Sequence, residues 1–150
     1  MAGRSLEHRA ARLWWILANR TLKLANYSIA GLEDSCVVER KDLHDLVHSF
    51  TAERPVFVHR LRLMSQYPHR LLVITTALSQ VKSPQPHVGG SPNRLTQSLI
   101  AAFAGLQIPL LCTETHELGE AMVASYLYQV HLYHWLEAND YGRFLVDNDL

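Results

Sequence analysis

The sequence contains only two cysteines, and neither has a second Cys or a His at the spacing of a metal site. Cys36 and Cys112 lie in apolar stretches, so we expect both to be small core residues of a protein from a reducing compartment. A disulfide-stabilised secreted scaffold and a cysteine-based zinc module are therefore disfavoured.

Long hydrophobic runs are also missing. The longest, from Leu99 to Cys112, is interrupted by Gln107 and Pro109 and is shorter than the about 20 residues of a transmembrane helix. The apolar run 13–18 is too short for a signal peptide. We therefore expect an intracellular, cytoplasmic protein with no membrane partner, associated with the nucleoid if its source is bacterial or phage.

Neither sign of charge is in excess, because 14 Lys and Arg balance 14 Asp and Glu. The two halves differ, however. Residues 1–70 carry 11 basic against 7 acidic side chains, and residues 71–150 carry 3 against 7. This asymmetry weakly indicates a nucleic-acid face on the N-terminal half, and an unevenly charged solvated surface is the alternative interpretation.

A length of 150 residues with 48% hydrophobic and 19% charged residues is typical of one folded domain. Apolar periodicity predicts helices over 5–18, from Asp42 as N-cap to Phe50, over 54–66, 93–105 and 117–136. Strands are predicted at 21–24, 35–39, 71–75 and 108–112, the first two as a hairpin, with a surface loop over 79–92. Strands that alternate with helices predict an α/β fold, a central sheet flanked by helices.

The segment Val38-Glu39-Arg40-Lys41 places a carboxylate and an amine two residues apart on a strand. Side chains at i and i+2 project to the same face, so Glu39 could hold a divalent cation while Lys41 reaches the same phosphate or water. Arg40 points to the opposite face, where a helix carboxylate such as Asp45 could pair with it. A solvated strand end is the alternative interpretation.

Two segments, Asn26-Tyr27-Ser28-Ile29-Ala30-Gly31-Leu32-Glu33 and Val38-Glu39-Arg40-Lys41-Asp42-Leu43-His44-Asp45-Leu46, together resemble the XPF-type nuclease domain. That family carries a Gly-Asp pair followed by ERKxxxD, which stands here at Glu39, Arg40, Lys41 and Asp45. The resemblance covers about residues 21–136, after an additional N-terminal helix in 1–20. It implies a single domain with a restriction-endonuclease-like fold that uses Mg²⁺ or Mn²⁺ to cut branched or single/double-strand junction DNA.

The same resemblance implies roles for individual residues. Glu39 would be a metal ligand, Lys41 would orient and activate the attacking water, and Arg40 and Asp45 would shape the site. Arg40, Lys41 and Arg54 would bind nucleic acid. Ala25-Asn26 stands where the family has Gly-Asp, so Asn26 would offer the metal a carbonyl oxygen in place of a carboxylate.

Three acidic positions of the family pattern are missing: at Asn26, in an opening strand, and near Thr75-Thr76. Two readings therefore stay open, a metal-dependent DNA endonuclease and a catalytically silent DNA-binding or dimerisation protein. An unrelated α/β interaction module is a third. No helix-hairpin-helix segment is recognisable, so we expect a homodimer or a partner subunit to supply DNA affinity. The candidate surfaces are Trp14-Trp15 and the tyrosine-rich final helix.

Overall fold

A computed structural model describes residues 24–84 and 91–141. The predicted helix over 5–18, Trp14-Trp15 and most of the predicted strand 21–24 lie outside these residues. The described residues form, in chain order, β1 (Cys36–Lys41), α1 (Leu43–Phe50), α2 (Arg54–Met64), β2 (His69–Ile74), α3 (Leu78–Val81), α4 (Pro92–Leu106), β3 (Leu110–Cys112) and α5 (His116–Ala138).

The three strands form one parallel sheet in the order β1-β2-β3. Cys36 pairs with His69 across the first strand pair, and Leu72 pairs with Leu110 across the second. Each connection crosses over through two helices, as parallel strands require. A parallel sheet flanked by helices confirms the predicted α/β fold, and it brings the carboxyl ends of all three strands to one edge.

Helices cover both faces of the sheet. The front layer consists of α1 to α4, and the back layer consists of α5 and residues 27–32. Side chains alternate between the faces along each strand, so Val37 packs into the front core and Val38 into the back core. The front core has fifteen buried apolar residues and the back core eight within the part of the chain that the structure describes.

Local chemistry explains where the helices begin. The Asp42 carboxylate accepts a hydrogen bond of 2.7 Å from the backbone N–H of Asp45, which confirms the predicted N-cap of α1. Thr115 caps α5 in the same way, through the N–H of Leu118. Pro55 lies in the first turn of α2, where a missing backbone N–H costs nothing.

Of two further local expectations, the structure tests one fully. The predicted hairpin pairs 35–39 with 21–24, most of which lies outside the described residues; beside β1 the structure shows an antiparallel bridge between Tyr27 and Val38, after residues 24–26, which bend. The predicted loop 79–92 overlaps the short helix α3, whose Val81 is fully buried in the front core. Burial of this one apolar side chain gives the segment a helical turn that its small polar residues do not indicate.

Both cysteines are free thiols. Cys36 is buried in the back core, and its burial raises the pKa of the thiol to about 12. Cys112 is half-buried and packs against the front core. The expectation of small, unbridged core residues is thus met. Within residues 24–84 and 91–141, no helix is both long and apolar enough to cross a membrane.

Candidate functional site

The predicted site lies at the carboxyl end of β1. Glu39 and Lys41 share the front face of the strand, and Lys41 Nζ is 3.4 Å from Glu39 Oε1. Arg40 lies between them and projects to the back face. The alternation expected from a strand is therefore observed, and it separates the three side chains into two different environments.

Glu39 is a buried carboxylate, only 1% exposed. Besides Lys41, it contacts Arg60 of α2, whose Nη2 lies 3.1 Å from Glu39 Oε2. Burial raises the pKa of Glu39 above its ordinary value, and the nearby charges of Arg60 and Lys41 offset part of that rise. Two cationic side chains therefore occupy both oxygens of this carboxylate.

Arg60 is held by more than its charge. Its Nε and Nη2 both donate to the carbonyl oxygen of Leu24, at 3.2 and 2.8 Å. Lys41 is also constrained, since its ammonium lies 5.1 Å from the centre of the Phe57 ring. The helix α2 therefore supplies both an arginine and an aromatic ring to the end of β1.

Asn26 lies beside the same strand end. Its Oδ1 accepts a 2.7 Å hydrogen bond from the backbone N–H of Arg40, and its own N–H donates to Val38 O at 3.1 Å. Asn26 thus satisfies backbone groups along an edge of β1. The side-chain oxygen that the resemblance assigns to a metal ion is engaged in holding this edge.

Arg40 makes its contacts in the back layer. Its Nη1 is 2.7 Å from a ring nitrogen of His116 and 3.3 Å from Glu120 Oε1, both on α5. The prediction that Arg40 pairs with Asp45 is wrong, because α1 covers the front face of the sheet while Arg40 projects from the back face. The carboxylate of Asp45 lies near His44 instead, at 3.8 Å.

Arg54 is exposed at the start of α2. Its Nη1 donates to the hydroxyl of Ser98 on α4 at 3.0 Å, and its guanidinium lies 5.9 Å from the centre of the Phe50 ring. The arginine connects three helices of the front layer. These contacts of Arg54 do not include the Glu39 carboxylate, and Arg40 and Asp45 also have other partners, so the structure does not join all predicted residues in one network.

Three side chains that sequence reasoning did not assign to the site contact its residues: Arg60, His116 and Glu120. The spacing of α2 predicts only that Arg60 lies off the apolar face of the helix. Its contact with Glu39 depends on how α2 packs over the strand. The two partners of Arg40 come from α5, which follows all three strands in the chain. No local pattern identifies these contacts.

The residues around Glu39 do not form a ligand set for Mg²⁺ or Mn²⁺, which favour several oxygen ligands and carboxylate charge. Among the residues that the structure describes, Glu39 supplies the carboxylate there, and both its oxygens already face cations. Within the described ranges, one group of acidic and histidine side chains could hold a metal ion, formed by Asp42, His44 and Asp45. All three are exposed, and the group does not include Glu39.

Charge is divided between the two layers. Residues 54–113 contain no Asp or Glu, and their six Arg and Lys residues are Arg54, Arg60, Arg62, Arg70, Lys82 and Arg94. In contrast, α5 contains Glu117, Glu120 and Glu137 and no Arg or Lys. The part of the front layer formed by α2 and α4 therefore presents a cationic surface, whereas α5 presents an anionic one; α1 differs from the rest of the front layer, since Asp42 and Asp45 are exposed at its start.

The fold is that of XPF nuclease domains: a small parallel sheet with helices on both faces. No protein-family model and no curated protein matches the sequence. Among solved structures, the chain is similar to XPF from Aeropyrum pernix, with a TM-score of 0.58 and 21% identity over 81% of this chain and 56% of that one.

A second structure of XPF from Aeropyrum pernix, in complex with DNA, gives the same TM-score of 0.58. The identity is 18%, and the match covers 85% of this chain and 62% of that one. The chain thus spans less than two thirds of the length of either protein. At these identities the comparison establishes the fold.

Proposed function

We propose that this chain is a DNA-binding domain that contacts the phosphate backbone through its front layer. The observation that carries the proposal is the acid-free segment 54–113, which places Arg54, Arg62 and Arg94 on the surface of α2 and α4. Arginines in such a segment are suited to phosphate, and the acidic residue that precedes Arg54, Glu53, lies 3.5 Å from His48. The likeness to an XPF that was solved with DNA supports the same role.

The three exposed arginines belong to neighbouring helices. Arg54 reaches from α2 to Ser98 of α4, and Arg94 lies one helical turn before Ser98, on the same side of α4. By contrast, the predicted phosphate-binding residues Arg40 and Lys41 contact carboxylates of this chain. Arg54 is therefore the residue of the predicted set that is best placed to bind DNA, and Arg40 and Lys41 stay predictions.

The test is a salt titration of binding to a fluorescent forked DNA, measured by anisotropy in the presence of EDTA. Wild type is compared with the triple variant Arg54→Gln, Arg62→Gln, Arg94→Gln. Each lost phosphate contact lowers the slope of log K against log salt by about 0.9, so we expect a slope smaller by about 2 to 3. Affinity at low salt should fall accordingly.

The matched control is the double variant Glu117→Gln, Glu137→Gln in α5. It removes two anionic charges from the back layer, and we expect it to leave both the slope and the affinity nearly unchanged. A triple arginine variant that binds DNA with the wild-type salt dependence would show that the front layer is not the DNA-binding surface.

The second candidate function is a metal-dependent endonuclease that hydrolyses phosphodiesters at branched or junction DNA with Mg²⁺ or Mn²⁺. The observation that favours it is the shared front face of Glu39 and Lys41, which the resemblance pairs in catalysis. In this interpretation Glu39 and Asn26 would hold the cation, and Lys41, Arg40 and Asp45 would complete the site. The ligand set of the described residues argues against it, since Glu39 is the carboxylate that they offer and it already contacts Lys41 and Arg60.

A cleavage assay distinguishes the two functions. The protein is incubated with Mg²⁺ or Mn²⁺ and end-labelled DNA that is duplex, single-stranded, flap or forked. Under the leading proposal, wild type binds but does not cut. Cleavage by wild type that disappears in both Glu39→Ala and Lys41→Ala would instead establish the endonuclease. DNA binding in EDTA is measured in parallel. It shows whether a variant that does not cut has lost its affinity for DNA or only the cleavage step.

The remaining expectations accompany this proposal. A role on DNA agrees with the predicted intracellular location. A single XPF-like domain over residues 1–150 stays a prediction. A homodimer or a partner subunit stays a prediction, for which the exposed Tyr128 and Trp135 of α5 are candidate contacts. Light scattering at tens of micromolar concentration tests it, and a clean monomer would count against a homodimer.

A further inference from the structure

Arg60 is the most unusual feature of the site. It comes from α2, and its guanidinium meets a buried carboxylate at the strand position where the XPF-type motif has its Glu. Glu39 Oε2 faces Arg60 at 3.1 Å while Oε1 faces Lys41 at 3.4 Å. The carboxylate therefore has a positive charge on each oxygen without any ion from solution.

The contacts of Arg60 also fix its position independently of Glu39. Two hydrogen bonds to the Leu24 carbonyl hold the guanidinium in place. The side chain of Arg60 is about one third exposed, at 35%, whereas that of Glu39 is 2% exposed. An incoming cation would have to displace an anchored guanidinium from the Glu39 carboxylate.

Asn26 does not add a ligand for a cation at Glu39. It supplies no negative charge, and its Oδ1 accepts the N–H of Arg40 at 2.7 Å. A divalent cation at Glu39 would therefore meet one carboxylate, an engaged amide oxygen and two positive side chains. Within the described residues, every buried side-chain nitrogen and oxygen has a hydrogen-bond partner. The oxygens of Glu39 are therefore already satisfied without a metal ion.

We propose that Arg60 is the resident cation of the Glu39 site, where its guanidinium takes the place of a divalent metal ion and keeps that ion out. The inference goes beyond DNA binding and requires no DNA. It predicts that the site can be opened: Arg60→Gln removes the internal cation, and Asn26→Asp adds a second carboxylate beside Glu39. Only the two changes together create a pair of carboxylates free of the guanidinium.

The experiment measures Mn²⁺ binding by calorimetry and by the loss of the free-ion electron paramagnetic resonance signal. We expect no binding at Glu39 in wild type or in Asn26→Asp. We expect one bound ion in the double variant Asn26→Asp, Arg60→Gln, here called the opened variant. The matched control is Asn26→Asp, Arg62→Gln, which removes an exposed arginine two residues further along α2 and should bind no ion. Added Mn²⁺ should raise the melting temperature of the opened variant alone.

Three outcomes would overturn the inference. In the first, wild type binds Mn²⁺ and loses that binding in Glu39→Gln. In the second, the opened variant is folded, as circular dichroism shows, but binds no ion. In the third, Asn26→Asp binds Mn²⁺ as tightly as the opened variant, so that Arg60 excludes nothing. If the opened variant does not fold, Mn²⁺ binding at Glu39 in wild type or in Asn26→Asp would still overturn the inference.

Discussion

The front and back layers cover opposite faces of one sheet, but they differ in both charge and packing. The front layer surrounds a core of fifteen buried apolar residues, and from Arg54 onward its chain has no acidic side chain. The back layer packs one long helix with three glutamates over eight buried residues. The same sheet therefore separates the surface of α2 and α4, which is suited to a polyanion, from that of α5, which repels it.

The strand β1 shows this division within three residues. Glu39 forms ion pairs with Lys41 and with Arg60 of the front layer, while Arg40 forms an ion pair with Glu120 of the back layer. Alternation along the strand decides which layer each side chain meets. A motif that is contiguous in sequence is consequently shared between two unlike environments.

The largest expected effect compares the two cores. Leu61→Ala leaves a cavity enclosed by the helices of the front layer. We expect it to lower the free energy of unfolding by about 3–5 kcal/mol. Leu127→Ala, in the smaller back core, should cost about 2–3 kcal/mol. Urea denaturation measures both.

The exposed Leu63 is the control for this comparison, since Leu63→Ala should cost less than about 1 kcal/mol. A larger loss from Leu127→Ala than from Leu61→Ala would contradict the view that the front layer contains the principal core.

A second prediction concerns the buried charge of the front layer. Because the pKa of Glu39 is raised above 4.5, the folded state holds its proton more tightly than the unfolded chain does. The stability from this group is present in full below pH 4.5 and is lost as the pH rises through the raised pKa. The stability of wild type relative to Glu39→Gln should therefore fall as pH rises through this window and then level off.

Urea unfolding at a series of pH values measures that difference. Glu114→Gln, at an exposed position, is the matched control and should show no such fall. A difference that grows with pH would mean that Arg60 and Lys41 stabilise the ionised carboxylate by more than burial destabilises it.

The smallest expected effect is the ion pair that joins β1 to the back layer. A double-mutant cycle with Arg40→Ala and Glu120→Ala should give a coupling free energy of about 0.2–1 kcal/mol, because Glu120 is more than half exposed. The same cycle with Glu117 in place of Glu120 should give no coupling. A coupling well above 1 kcal/mol would mean that the back layer holds the strand as firmly as the front layer does.

Much of the fold follows from local sequence patterns. Apolar periodicity indicates the helices and strands in their correct order, Asp42 indicates the start of α1, and a period of two separates Glu39 and Lys41 from Arg40. These inferences succeed because caps and side-chain periodicities depend on residues within a few positions of each other. The short helix α3 is not predicted in this way, since burial of Val81 in the front core stabilises it.

The sequence by itself therefore determined the α/β order, the position of the ERK segment on a strand, and the faces of its three side chains. Only the tertiary structure decided what those side chains meet. Arg60 lies 21 residues from Glu39 in the chain, and Glu120 lies 80 residues from Arg40. The packing of α2 and α5 on opposite faces of the sheet creates both contacts, and no local pattern contains that packing.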